Sequence, residues 1–261
     1  MSTPVKIHAD SGAEPLFREV LASLPLSYAR APEVGDADVV VADGAAGWPG
    51  RVSAHLDAGV ATALIVDPRP DDSAAVRDLA QAAEASGARL AVSETAASNP
   101  AVHDIAPQLE GLDTITVVSR GPASASDLLF DQLRLLRALG IGQLVERDAT
   151  RGRKSVVVTL DGALGGRALL VKLQASTTEA GVLQHRVQAY GAASIVTAEL
   201  YGADTARPAR VECSTADAAS TTPTIFESAH RASWRALHRE GSTVDLEAFA
   251  DDIDLLGVHA S

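Results

Sequence analysis

The chain has 261 residues, 46% of them hydrophobic but only 3% aromatic, and a formal net charge of −12. That length allows one large domain or two medium ones, with a core built from Ala, Val, Leu and Ile. The acidic balance excludes a general nucleic-acid binder, because phosphate contacts need clustered Lys and Arg.

Over the first 111 residues two periodicities alternate. Apolar runs of strand length fall at Val5–Ala9, Leu26–Ala31, Asp38–Ala42, Thr62–Val66 and Arg89–Ser93. Helical patterns fill the intervals, at Glu14–Leu24, Pro49–Ala58, Ser73–Ser86 and Pro100–Leu109. Near-continuous apolar strands alternating with helices predict a parallel sheet covered on both faces. Gly87 is placed to stop its helix, and Asn99-Pro100 to start the next.

After Gly111 the pattern changes. A strand at 113–119 (DTITVVS) precedes a helix that starts at Ser126-Asp127, buries Leu128, Leu129, Leu133, Leu136 and Leu139, and ends at Gly140. From 143 to 213 the text reads as successive strands: QLVERDA, SVVVTLDG, RALLVKLQ, HRVQAYG, SIVTAELYG and ARVEC. Asp161-Gly162 and Gly165-Gly166 are hairpin signals. A helix at Ile225–Arg239 and a segment at Val244–Leu256 close the chain. The expected fold class is α/β: an N-terminal Rossmann-like parallel sheet domain over 1–115, and a C-terminal α+β domain over 116–261 with an open, mainly antiparallel sheet. Stretches such as SVVVTL offer apolar residues to both faces of that sheet, which predicts cover by an oligomer partner.

The remaining composition narrows the chemistry. Cys213 is the only cysteine, so an internal disulfide and a Cys-based zinc site are excluded. No window approaches the roughly 18 uninterrupted apolar residues of a membrane span. MSTPVKIHAD lacks the basic and apolar regions of a secretory signal, so no membrane association and a cytoplasmic location are expected. In SAHRASWRALHRE, His230, Trp234 and His238 share one helical face and Arg231, Arg235 and Arg239 another. No other ligand accompanies these histidines, so no metal site is predicted, and the arginines read as a solvated face or a contact for an acidic partner. Lys172, one of three lysines, sits in a strand; a Schiff-base role would need it desolvated.

Three stretches carry a family resemblance: AHLDAGVATALIVDPRP (54–70), SDLLFDQLRLLRALG (126–140) and HRVQAYGAASIVTAEL (185–200). With the order of elements, they resemble the Gfo/Idh/MocA oxidoreductases, which act on sugars, cyclitols and related molecules with NAD(H) or NADP(H). The resemblance implies a Gly-x-Gly-x-x-Gly phosphate loop after the first strand, whose glycines let backbone N–H groups reach the pyrophosphate. Here those positions fall on Ala9, Ser11 and Glu14, with Gly12 between them. Asp10 and Glu14 also bring negative charge. At an effective dielectric of about 20, two like unit charges 5 Å apart repel by roughly 3 kcal/mol. The same acids favour the helix dipole with no ligand present.

The other family positions differ too. The lysine of Glu-Lys-Pro falls on Asp67 or Arg69; Asp67 is a catalytic candidate, and Arg69 either binds an anionic substrate or is a solvated loop residue. The family's helical histidine falls on Phe130 or Asp131. If on Asp131, an Asp127/Asp131 pair at i, i+4 could act as acid and base; alternatively these are acids at a helix N-terminus. Candidate cofactor contacts are Ser11, Gly12, Arg30 and Asp43, Arg30 being placed for the 2′-phosphate of NADP(H). Any ligand is expected in the crevice beyond strands 1 and 4.

These departures imply no or weak NAD(P) binding. The expected protein is a divergent homologue unable to transfer hydride alone, supporting an active paralogue in a homo- or hetero-oligomer formed through the open sheet. The alternatives are an active NAD(P)-dependent dehydrogenase, a cofactor-free lyase or isomerase acting on a sugar- or cyclitol-like molecule, and a binding module without chemistry.

Overall fold

The computed structural model describes residues 5–23, 28–202, 207–240 and 246–257. In chain order its elements begin with β1 (Val5–Ala9), α1 (Glu14–Ser23), β2 (Tyr28–Arg30), β3 (Val39–Asp43), α2 (Trp48–Asp57), β4 (Thr62–Val66), α3 (Ser73–Ser86) and β5 (Arg89–Ser93). Then come α4 (Val102–Ile105), a 3₁₀ turn at Ala106–Leu109, β6 (Thr114–Gly121), α5 (Ala125–Ala138), β7 (Ile141–Arg151), β8 (Ser155–Leu164) and β9 (Arg167–Thr177). The last are β10 (Gln184–Tyr190), β11 (Ser194–Tyr201), β12 (Arg210–Thr215), β13 (Ala219–Thr221), α6 (Ala229–Glu240) and α7 (Leu246–Gly257). The expected helix end at Leu24, strand start at Leu26 and segment start at Val244 lie outside the described residues, as do the side chains of His238 and Arg239.

The chain divides into two compact units, Met1–Glu94 with His230–Ile253, and Thr95–Ala229 with Asp254–Ser261. The division falls at 94/95 rather than 115/116, because β5 completes the first sheet and β6 pairs only in the second. The closing helices also differ from a two-segment division, since most of α6 belongs with the first unit.

In the first unit five parallel strands run in the order β2-β1-β3-β4-β5. Every residue of β4 is buried, which is why its text is an unbroken apolar run. Asp72 caps α3 by accepting the Ala74 N–H, and Gly87 ends it in the left-handed conformation at φ +68°. The core joins Ile7, Phe17, Val41 and Leu64 to Trp234 and Leu237 of α6. Trp48 is fully buried and meets Phe249 edge-on, with ring centroids 5.6 Å apart.

In the second unit eight strands form one sheet, β13-β12-β11-β10-β6-β9-β8-β7. All neighbours are antiparallel except β6 and β9, so the sheet is open, mixed and mainly antiparallel. The β8–β9 hairpin turns at Gly165-Gly166, both at positive φ as a type I′ turn requires. Asp161-Gly162 lies within β8 and makes no turn. The strands alternate strictly: Val156, Val158, Leu160, Val171 and Leu173 are buried, whereas Val157, Thr159, Leu170 and Lys172 lie on the other face. That second face is thus less apolar than the text SVVVTL suggested.

Candidate functional site

A doubly wound sheet binds ligands where the strand order reverses, beyond the carboxyl ends of the strands. The observed order puts that point between β1 and β3, not β1 and β4. A crevice of about 480 Å³ opens there, lined by Asp10, Ser11, Gly12, Asp43, Ala45, Arg51, Ala54 and His55. Three of the four expected cofactor contacts (Ser11, Gly12 and Asp43) therefore come together.

Their arrangement does not fit a pyrophosphate. The Asp43 carboxylate lies so close to Gly12 that a Cβ there would stand 2.0 Å from its Oδ2 and 2.6 Å from its Cγ. The Asp43 carboxylate thus brings a negative charge beside the Gly12 backbone, where a phosphate would also be anionic. The Ala13 and Glu14 N–H groups both donate to the Asp10 carbonyl at 3.0 Å, which uses amides at the start of α1. Asp10 also faces His55, with Oδ1 3.1 Å from Nε2. The Arg51 guanidinium is turned onto the backbone carbonyls of Asp43, Ala45 and Ala46. Arg30 is paired with Glu14 at 2.9 Å, so the residue placed for a 2′-phosphate already has an anion.

Asp67 follows β4 in the left-handed region, at φ +44°, an uncommon conformation for a residue with a side chain. Its N–H donates to the Ser93 carbonyl. Its half-exposed carboxylate stands 3.2 Å from Nε2 of His230, which is 4% exposed, but out of line for a hydrogen bond. The other ring nitrogen, Nδ1, is 2.7 Å from the buried Ser93 hydroxyl. Arg69 is exposed; its backbone is pinned by its N–H to the Gly44 carbonyl and by the Trp48 indole N–H to its own carbonyl. Gly44 is needed at this crossing, because an added Cβ would meet Pro68 and Val66 backbone atoms at 2.4 Å.

In the second unit Asp127 and Asp131 have separate environments. Asp127 is tied to the N-cap of α5: Ser124 Oγ accepts the Asp127 N–H, and the Ser124 hydroxyl donates to the Asp127 carboxylate. Asp131 is half-exposed one turn later, with its carboxylate 3.9 Å from Nε2 of His185. His185, on β10, is 1% exposed, and burial pushes its imidazole down to about 4. Its Nδ1 is 2.7 Å from the buried Ser119 hydroxyl, which also receives an N–H from Gln132. Phe130, the alternative at the family's histidine position, is core.

The sequence reading missed His185, Ser93 and Ser119, which meet their partners only through the fold. It also missed a second cavity of about 260 Å³ in this unit, where Asn99, Tyr201, Arg207 and the strongly exposed Phe226 form part of the wall. There the Arg207 guanidinium sits 5.7 Å from the Tyr201 ring centroid. Among the described residues, no group of three or more His, Cys, Asp or Glu could hold a metal ion. Nor is any described helix long and apolar enough to cross a membrane.

Together the parallel five-stranded sheet and the larger mixed sheet give the chain the two-domain fold of the Gfo/Idh/MocA-type oxidoreductases. UDP-N-acetylglucosamine 3-dehydrogenase GnnA from Acidithiobacillus ferrooxidans is similar with a TM-score of 0.73 and 13% identity, over 99% of this chain and 97% of that one. KijD10, a 3-ketoreductase from Actinomadura kijaniata solved in complex with NADP, has a TM-score of 0.72 and 15% identity, over 98% and 96%. A dehydrogenase, MviM, from Clostridium difficile has a TM-score of 0.72 and 9% identity, over 98% of both chains. At such identities the likeness is one of fold. No family model matches the sequence, and neither does any curated protein.

Proposed function

We propose that this chain is an oxidoreductase-fold protein that does not transfer hydride by itself and binds NAD(P) weakly or not at all. It acts in the cytoplasm as a supporting subunit beside an active paralogue, associating through the open face of the eight-stranded sheet. The observation that carries this reading is the Asp43 carboxylate on Gly12, where a nucleotide-binding chain of this fold needs bare backbone. The Arg30–Glu14 pair supports it, since a 2′-phosphate would have to displace a carboxylate. KijD10, solved with NADP, is 15% identical to this chain, and at that identity the likeness carries the fold alone. Calorimetry with NADH and NADPH tests the proposal: dissociation constants weaker than about 1 mM are expected, a free energy near −4 kcal/mol. Micromolar binding of either cofactor overturns it.

A second reading is favoured by one observation, the buried histidines behind Asp67 and Asp131. In it the chain is a cofactor-free lyase or isomerase moving protons on a sugar- or cyclitol-like molecule, with one of these carboxylates as the acid–base group. Its test is turnover of such molecules without added nucleotide, lost in Asp67→Asn or Asp131→Asn.

A further inference from the structure

We propose that the cavity of about 260 Å³ in the second unit binds a small monocarboxylate carrying one apolar ring, with Arg207 and Asn99 at its carboxylate and Phe226 and Ile225 at its ring. Every residue of the cavity wall belongs to the second unit. The crevice between β1 and β3 lies in the first, so this site stands or falls independently of the cofactor reading.

The polar part of the wall offers donors. The Arg207 guanidinium lies over the Tyr201 ring, and the Tyr201 hydroxyl donates to Glu199 at 2.9 Å, which ties the ring in place. A guanidinium over a ring face has N–H groups left for an acceptor, because its donors are fixed in a planar fork. That fork matches a carboxylate with two parallel bonds. Among the described residues no carboxylate stands within ion-pair distance of Arg207, whereas Arg30, Arg77, Arg147, Arg167 and Arg210 each have one. Asn99 lines the same cavity; its Oδ1 accepts the Ala101 N–H at 3.0 Å, so the other branch of its amide is an NH₂ group, a second donor.

The apolar part of the wall is open to water. Phe226 is 82% exposed, more than any other large hydrophobic among the described residues, and Ile225 beside it is 40% exposed. Single exposed apolar side chains are ordinary, but two in succession on a cavity wall form an apolar surface that a ligand can cover. A ring set against Phe226 covers it and gains the contact of one ring with another.

Size and charge narrow the ligand further. The volume lies below the roughly 300–1,000 Å³ of sites for drug-sized ligands, which leaves room for one ring with a short arm. One arginine balances one negative charge, while Glu227 on the same wall adds a negative charge and the chain carries −12 overall. A phosphate monoester, at about −1.5 to −2 near pH 7, would be left partly unneutralised. A carboxylate would not, and an amine would meet the Arg207 cation instead of a partner.

Ligand-observed NMR titrations of the full-length protein near neutral pH test this with four probes: phenylacetate, its neutral amide phenylacetamide, phenyl phosphate and phenethylamine. Phenylacetate should bind with a dissociation constant of about 1 mM or tighter, and the other three at least about tenfold more weakly. Arg207→Gln should bring phenylacetate down to the affinity of the amide and leave the amide unchanged, as loss of a charge contact requires. Phe226→Ser should weaken acid and amide by the same factor, as loss of a ring contact requires. Both residues are exposed, so both variants should fold, and their melting temperatures check it. The ranking of the four probes on wild type decides the proposal without either variant. Equal affinity for acid and amide, tighter binding of phenyl phosphate or phenethylamine, or no binding of phenylacetate by about 10 mM overturns it. So does phenylacetate binding that neither substitution weakens in a folded variant.

Discussion

Replacing His185 with Gln should change how stability depends on pH. Burial lowers the His185 imidazole from 6.5 in the unfolded chain to about 4 in the folded one. Between those values the unfolded state binds one proton more than the folded state, so stability falls as pH falls. Its contribution is complete above pH 6.5 and is withdrawn progressively toward pH 4. At about 1.4 kcal/mol per pH unit, less the curvature near each pKa, the loss from pH 7 to pH 4.5 is about 2 kcal/mol. A glutamine at 185 can still accept the Ser119 hydroxyl but does not titrate. Urea unfolding of wild type and His185→Gln at the two pH values gives the difference directly. The gap in stability between them should shift against wild type by about 2 kcal/mol on acidification. A gap that is the same at both pH values would refute the buried neutral imidazole.

Clearing the crevice should restore some affinity for nucleotide: Asp43→Ala should bind NADH and NADPH more tightly than wild type by calorimetry, whereas Arg30→Ala alone should not. Gly44→Ala, whose Cβ would enter Pro68 and Val66 backbone atoms at 2.4 Å, should destabilise the protein by about 1–3 kcal/mol in thermal unfolding. If the open face of the eight-stranded sheet is an interface, light scattering should show an oligomer, and Leu170→Arg with Tyr190→Arg should shift it toward monomer. Both residues lie on that face and are more than a third exposed.

The fold was largely legible because its two halves bury their strands differently. A strand covered on both faces must be apolar throughout, as β4 is, and one covered on a single face must alternate, as β8 and β9 do. Gly162 misled because glycine has more than one use. Within β8 a side chain there would crowd Ile141, Leu144 and Val171 at 3.2–3.4 Å, so the residue serves packing rather than a turn. The site was legible only where its partners are close in sequence. Asp127 and Ser124 are three residues apart, and the N-cap they share could have been read from S-A-S-D. Ser119 and His185 are 66 residues apart and Ser93 and His230 are 137 apart, so no spacing rule links them. The positions of Asp67 and Asp131 came from the family resemblance; the histidines behind them came from strand register and from the return of α6.

The return of α6 to the first unit also sets an order of assembly. Trp234 and Leu237 share a core with Ile7 and Phe17, residues more than 200 positions earlier in the chain. The core of the parallel sheet is therefore complete only once the chain has grown past residue 237. Every strand of the eight-stranded sheet has been made by Thr221. The segment that completes the core of the first sheet is thus made after every strand of the second.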